Sequence, residues 1–210
     1  KLEPHMLFNT LATLRALIGI DPPAAQQMLD RINDYLRATL NASRHTAHPL
    51  SAEFARLDDY LKLMALRMGP RLQVSLELPE ALRDVPVPPL LLQPLVENAI
   101  QHGLEPRVDG GQLRVRAWVE GDRLQLEVAD TGVGFAPDEV RPDRFGLTQV
   151  RERIATAYAG AGSVDWQSAP GSGTRVRIVL PMVRSAVPAS RVDFKTNQPL
   201  ALQPSAQAAI

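Results

Sequence analysis

Hydrophobic and polar positions alternate along this chain with two different periods, and the change falls near residue 70. Leu7, Leu11, Leu14 and Ile18 recur at spacings of 4, 3 and 4, the period of one helix face, so residues 2–19 are expected to form a helix. Gly19-Ile20-Asp21-Pro22-Pro23 interrupts it. Asp21 can cap a second helix and Pro22 or Pro23 can start it. Leu29, Ile32, Leu36 and Leu40 carry the second stripe. After a polar stretch from Ser43 to Pro49, Ser51 is expected to cap a third helix. That helix has Phe54, Leu57, Leu61, Met64 and Met68 on one face, and Gly69-Pro70 ends it.

From Arg71 the period shortens to two. Leu72, Val74, Leu76 and Leu78 alternate with polar residues and predict a strand. Prolines at 79, 86, 88 and 89 break the path to a helix over Leu92–Gly103, with Gly103 as its stop. Leu113–Val119 and Leu124–Ala129 are two further strands, joined by a turn at Glu120-Gly121-Asp122. Leu147–Tyr158 reads as an amphipathic helix, and Val164–Gln167 and Arg175–Leu180 as the last strands. The fold class expected is α+β: an N-terminal helical hairpin, then an α/β sandwich whose mixed, largely antiparallel sheet has helices on one face. Three units follow: helices over 1–69, a mixed domain over 70–183, and a flexible tail over 184–210, rich in Ala, Ser, Gln and Pro. A two-helix hairpin buries little by itself. Pairing two copies into a four-helix bundle solves that, so a homodimer is expected.

Composition narrows the function. The 23 basic and 23 acidic residues cancel, which gives no general charge attraction to nucleic acid. The absence of cysteine excludes disulfides and thiolate metal sites. No apolar run reaches the roughly 18 residues of a membrane helix. The chain opens on Lys1 inside what already reads as helix, and is therefore taken as a fragment, so that the lack of a membrane segment here says little about its parent. His45 and His48 lack a third ligand nearby and do not suggest a metal.

The candidate chemistry is that of a nucleotide site. Asp130 ends a strand before Thr131-Gly132-Val133-Gly134. A carboxylate there can accept a hydrogen bond from an exocyclic amine, and the glycines allow close approach, although an ordinary turn would use the same residues. Asn98 offers a hard oxygen suited to Mg²⁺, and His102 follows it by one turn. Gly171-Ser172-Gly173-Thr174 alone could be a hairpin turn. No GxxxxGK[ST] pattern occurs. Far upstream, His5 and Asn9 stand one helical turn apart in Pro4-His5-Met6-Leu7-Phe8-Asn9.

Taken together and in order, E-N-A-I-x-H-G, D-T-G-x-G-F, F-G-L and G-S-G-T-x-V resemble the ATP-binding domain of the gyrase/Hsp90/histidine-kinase/MutL superfamily, the Bergerat fold, over about residues 70–181. The upstream P-H-M-L-F-N resembles the P-H-F-L-F-N signature of LytS-like sensor histidine kinases. This resemblance implies an ATP-dependent protein-histidine kinase with His5 as phosphoacceptor, Asn9 positioning its ring, and Glu97 polarising the site or assisting proton transfer. It implies Asn98 on Mg²⁺ and Asp130 on the adenine amino group. Gly132 and Gly134 would shape the pocket, Thr174 would lie on a strand at the adenine side, and Gly146 would lie at the end of a lid from about Ala136 to Phe145, with Arg144 able to meet a phosphate; His102, Leu147 and Gly173 would be further nucleotide-binding residues. The partner implied is a response regulator, in this family often with a LytTR DNA-binding domain, and the parent would be anchored in the bacterial inner membrane. Met6 replaces the usual Phe, the lid motif Arg144-Phe145-Gly146-Leu147 has one glycine where relatives often have two, and Gln149 stands where Asn is common. The worn lid motif leaves a competing expectation: a degenerate nucleotide-binding or dimerisation module that acts on a partner without phosphotransfer. A gyrase- or MutL-type ATPase fits less well, because those lack the PHxLFN hairpin.

Overall fold

The computed structural model describes residues 4–42, 47–136 and 147–182; within these, side chains at 4–9, 34–35 and 37–42 are outside the description. Helix α1 (Pro4–Ile20) and helix α2 (Pro22–Ala42) form the expected hairpin. Asp21 caps α2, its Oδ1 accepting the Ala24 N–H at 3.1 Å. The buried stripe of α2 is Ala25, Met28 and Ile32, not the expected line through Leu29, which is 46% exposed. Leu11 and Ile18 of α1 are 43% and 61% exposed. The apolar face of the hairpin is thus only partly covered.

A two-residue strand β1 (His48–Pro49) precedes helix α3 (Leu50–Met68) and pairs antiparallel with β3 (Pro86–Val87). This bridge places His48 in paired backbone where the sequence suggested a loop. It also replaces the cap expected from Ser51. Pro49 holds the cap position without a side-chain bond. The first N–H groups of α3 are instead satisfied by main-chain carbonyls, Leu50 N to Val85 O at 2.9 Å and Ser51 N to Arg83 O at 2.8 Å. Helix α3 buries residues on most of its circumference, among them Leu57, Tyr60, Leu63 and Met64, because it lies between α2 and the sheet domain. One continuous cluster of buried side chains runs from Met28 and Ile32 through α3 to Ile178 and Leu180.

The sheet has five strands in the order β2-β4-β5-β7-β6: β2 (Leu72–Glu77), β4 (Gly111–Glu120), β5 (Arg123–Asp130), β6 (Ser163–Ala169) and β7 (Gly173–Pro181). Only β2 and β4 run parallel, and the rest are antiparallel, as the alternation and tight turns implied. Helix α4 (Gln93–Asn98) and helix α5 (Leu147–Tyr158) cover one face. That inner face carries Leu113, Val115, Leu126, Val128, Val176 and Ile178. The outer face carries Glu127, which is buried under Arg116, Arg175 and Arg177. The helix expected to stop at Gly103 does not stop there. From Ala99 to Leu104 it widens into a π-helix, with Glu105 N bonded to Ile100 O at 2.9 Å.

Candidate active site

The floor of the site is set by register. Strand β5 lies in the middle of the sheet, and its last residue, Asp130, pairs with Leu113 on one side and Thr174 on the other. The carboxyl is 7% exposed. Its Oδ1 accepts the Gly132 N–H at 2.7 Å. Burial pushes its pKa up to about 6, against the lowering effect of hydrogen bonds from the Gly132 and Thr174 N–H groups. At neutral pH it is therefore an ionised acceptor in a largely apolar setting.

Glycines allow the backbone to close around this carboxyl. A Cβ on Gly132 would lie 2.2 Å from the Gly103 carbonyl carbon, and one on Gly103 would lie 2.7 Å from Asp130 Oδ1. The widened turn brings Gly103 to this contact, and its carbonyl accepts the Val133 N–H at 2.9 Å. Gly103 is thus a packing residue of the site, a role its reading as a helix stop missed. Gly173 takes φ +76°, and a Cβ there would meet the Asp130 carbonyl oxygen at 2.0 Å.

Above Asp130 opens a cleft that encloses about 490 Å³ of space, open solvent at its mouth included. One wall is α4 and the π-turn, contributing Leu95, Asn98, Ala99, His102 and Gly103. The sheet contributes Val128, Trp166, Thr174 and Val176; Gly134 and Phe135 follow β5, and Leu147 comes from the start of α5. Of the residues expected in the site, Asn98, His102, Asp130, Gly134, Leu147 and Thr174 share this cleft. Gly132 packs behind Asp130, and Gly173 borders a second, shallower depression with Ser168 and Thr174. Glu97 is buried beside Asn98 but does not line the cleft, and its Oε1 accepts from Gln93 Nε2 at 2.8 Å on the same helix. The side chains of His5 and Asn9, and residues Arg144 and Gly146, lie outside the described residues.

Sequence reasoning missed Trp166 and Phe135 as cleft residues. Trp166 had been read only as part of a strand; its ring lies 4.8 Å beneath the Arg151 guanidinium of α5. Phe135 is fixed by its N–H, which Ser168 Oγ accepts at 3.0 Å. The D-T-G-x-G-F pattern contained Phe135, so the signal was present.

The chemistry available is selective recognition of a flat, amine-bearing ring by Asp130 between apolar walls, with polar groups at the far end. Asn98 Nδ2 is enclosed without a hydrogen-bond partner among the described residues, leaving this amide available to a ligand. Its Oδ1 is a hard donor. Among the described residues no three His, Asp or Glu side chains cluster to hold a metal. One amide oxygen suits an ion such as Mg²⁺, which completes its shell with waters and substrate phosphates.

Two family models match the chain. Residues 1–72 match the family model Histidine kinase. Residues 88–184 match Histidine kinase-, DNA gyrase B-, and HSP90-like ATPase. The sensor histidine kinase BtsS of Escherichia coli is 30% identical over 181 residues, covering 86% of this chain and 32% of that protein. The sensor protein LytS of Oceanobacillus iheyensis is 32% identical over 194 residues, covering 86% and 33%. The chain thus spans about a third of the length of the curated relatives it matches. Among solved structures, the histidine kinase domain of a blue-light activated kinase from Erythrobacter litoralis superposes with a TM-score of 0.52 at 20% identity, covering 81% of this chain and 83% of that one.

Proposed function

Because the chain belongs to the LytS-like sensor histidine kinases, we propose that it is a two-component kinase core that phosphorylates itself on His5 with ATP and passes the phosphoryl group to an aspartate of a response regulator. The observation that carries the nucleotide half is the single cleft with buried, ionisable Asp130 at one end and Asn98 on its wall. Asp130 accepts the adenine amino group, and Trp166 and Phe135 flank the ring. Asn98 holds Mg²⁺, which when bound offsets phosphate charge. Gly134, Thr174 and Leu147 complete the enclosure.

In the transfer step the neutral imidazole of His5 attacks the γ-phosphorus in line. The N–P bond forms, the bond to the bridging oxygen breaks, and ADP leaves. Orientation supplies most of the rate, and Asn9 serves it by holding the ring. The imidazole proton passes to a carboxylate; the sequence offers Glu3, two residues before His5, and Glu97, next to Asn98, of which Glu97 would have to turn from Gln93 toward the cleft. Within this proposal, residues 1–69 dimerise and present His5, residues 70–183 hold ATP, and 184–210 is a tail. The exposed apolar residues Leu11, Ile18 and Leu29 of the hairpin support a homodimer. Among the described residues no helix is long and apolar enough to cross a membrane. The reading extends to a cytoplasmic segment of a membrane-anchored parent and to a regulator of the LytTR type.

The test is phosphorylation with γ-labelled ATP and Mg²⁺, in wild type and His5→Gln. The expected label is acid-labile, base-stable and absent from His5→Gln. ATP binding without label in a longer, dimeric form of the chain would instead favour the degenerate module.

A further inference from the structure

Among the described residues, the most completely buried carboxylate outside the cleft is Glu53, with no exposed surface. It stands in the first turn of α3 and gathers four donors. His48 Nε2 lies 2.9 Å from Oε2 and Arg56 Nη2 lies 3.1 Å from it. The other two are main-chain N–H groups far along the chain: Leu90 N at 3.1 Å and Leu92 N at 2.8 Å, 37 and 39 residues away. Burial alone would raise the Glu53 pKa, but the His48 hydrogen bond, the Arg56 charge and the Leu92 N–H outweigh it, and the carboxyl is held below its ordinary value.

The segment it grips leads straight into α4. Leu90 has φ +58°, a left-handed conformation that a side chain with a Cβ rarely adopts. Such a conformation persists where surrounding contacts over-determine it. Two contacts do so here. Glu53 holds Leu90 and Leu92 from α3, and Arg153 of α5 donates to the Pro89 carbonyl. Helix α4 begins at Gln93 and ends at Asn98, a polar residue of the cleft wall. Apolar side chains could fill the same space at no greater cost. A two-oxygen acceptor adds direction, since both N–H vectors must point at one carboxylate.

We propose that Glu53 is a positioning residue of the nucleotide cleft, which by gripping the Leu90 and Leu92 N–H groups sets where α4 presents Asn98 to the phosphate end of a Mg²⁺-nucleotide. This rests on the nucleotide reading of the cleft. It separates the two ends of the site: Asp130 is fixed by its register between β4 and β7 and by the Gly132 N–H, none of which Glu53 touches, and it holds the ring whether or not Glu53 is intact.

The experiment is calorimetric titration of the whole 210-residue chain, wild type and Glu53→Gln, with adenosine, with ADP in chelator and with ADP in Mg²⁺. Wild type is expected to bind adenosine, and to bind ADP more tightly when Mg²⁺ is present. Glu53→Gln is expected to keep adenosine affinity within about twofold while losing roughly fivefold or more of the Mg²⁺-dependent gain. Full retention of that gain overturns the proposal. So does an equal loss for adenosine and Mg²⁺-ADP, which would mean general support of the fold. Should Glu53→Gln not fold, Arg153→Met relaxes the same segment from the α5 side. It must reproduce the selective loss, and a uniform loss or none there overturns the proposal equally. A folded wild-type chain that binds none of the three ligands overturns the nucleotide reading itself, and this inference with it.

Discussion

Replacing Asp130 by asparagine should make the ligand-free protein more stable while weakening its grip on nucleotide. The carboxyl has a pKa of about 6 in the folded chain against an ordinary 3.8. At about 1.4 kcal/mol per pH unit, this difference disfavours the ionised form in the fold by about 3 kcal/mol. The sign follows from linkage. A folded pKa above the unfolded one gives stability that is fully present below pH 4 and is lost as pH rises through 6. At pH 7 the fold therefore carries an ionised group it would be better without. An asparagine amide is neutral throughout and still offers an oxygen to the Gly132 N–H. Its NH2 replaces the second oxygen, which takes back about 1–2 kcal/mol if no acceptor meets it. The net gain expected at pH 7 is about 1–2 kcal/mol. For a chain of this size that raises Tm by roughly 2–8 °C. Thermal melts of wild type and Asp130→Asn without nucleotide, at pH 7 and pH 4, measure it. The gap should close at pH 4, where the wild-type carboxyl is protonated. Loss of the charged acceptor should lower ADP affinity by about 10-fold or more. A variant less stable than wild type at pH 7, or equally stabilised at both pH values, would refute the electrostatic account. Unchanged ADP affinity would refute the adenine contact.

Gly132→Ala would place a Cβ 2.2 Å from the Gly103 carbonyl carbon, and backbone on both sides cannot yield cheaply. A loss of about 1–3 kcal/mol in denaturant unfolding is expected, together with weakened ADP binding. On the hairpin, Ile18→Glu puts a charge on a residue already 61% exposed. It should leave the unfolding of the sheet domain within about 0.5 kcal/mol of wild type while shifting sedimentation toward monomer. An unchanged dimer would move the interface away from Ile18. Nucleotide binding by wild type should also weaken as pH falls below 6, because a protonated Asp130 is a poorer acceptor for an amine. A flat affinity profile between pH 7 and pH 5 would count against Asp130 as the ring's acceptor.

What could be read from the chain alone was whatever depends on neighbours along it. The 3.6-residue stripes gave α1, α2 and α3, the alternation from Leu72 gave the strands, and Asp21 marked the start of α2 because a cap bonds only a few residues ahead. The position of Asp130 at a strand end before a glycine turn was legible for the same reason. The residues that needed the tertiary structure are those whose partners lie tens of residues away. Ser51 looked like a cap until carbonyls of the 83–85 segment satisfied the N–H groups of α3. Gly103 looked like a stop until the π-turn carried it against Gly132. Glu53 is by sequence an acidic residue in a helix's first turn, yet it accepts from N–H groups 37 and 39 residues on. Trp166 became a cleft wall only when β6 joined the edge of the sheet. Helix and strand periods are local properties of the backbone, whereas the depth of a cleft and the charge state of a carboxyl at its floor come from the packing of distant segments. The sequence therefore determined the long helices, the five strands of the main sheet and the candidate chemistry, but not the β1–β3 bridge or the π-turn. Tertiary contact alone decided which side chains share a site and how strongly it perturbs them.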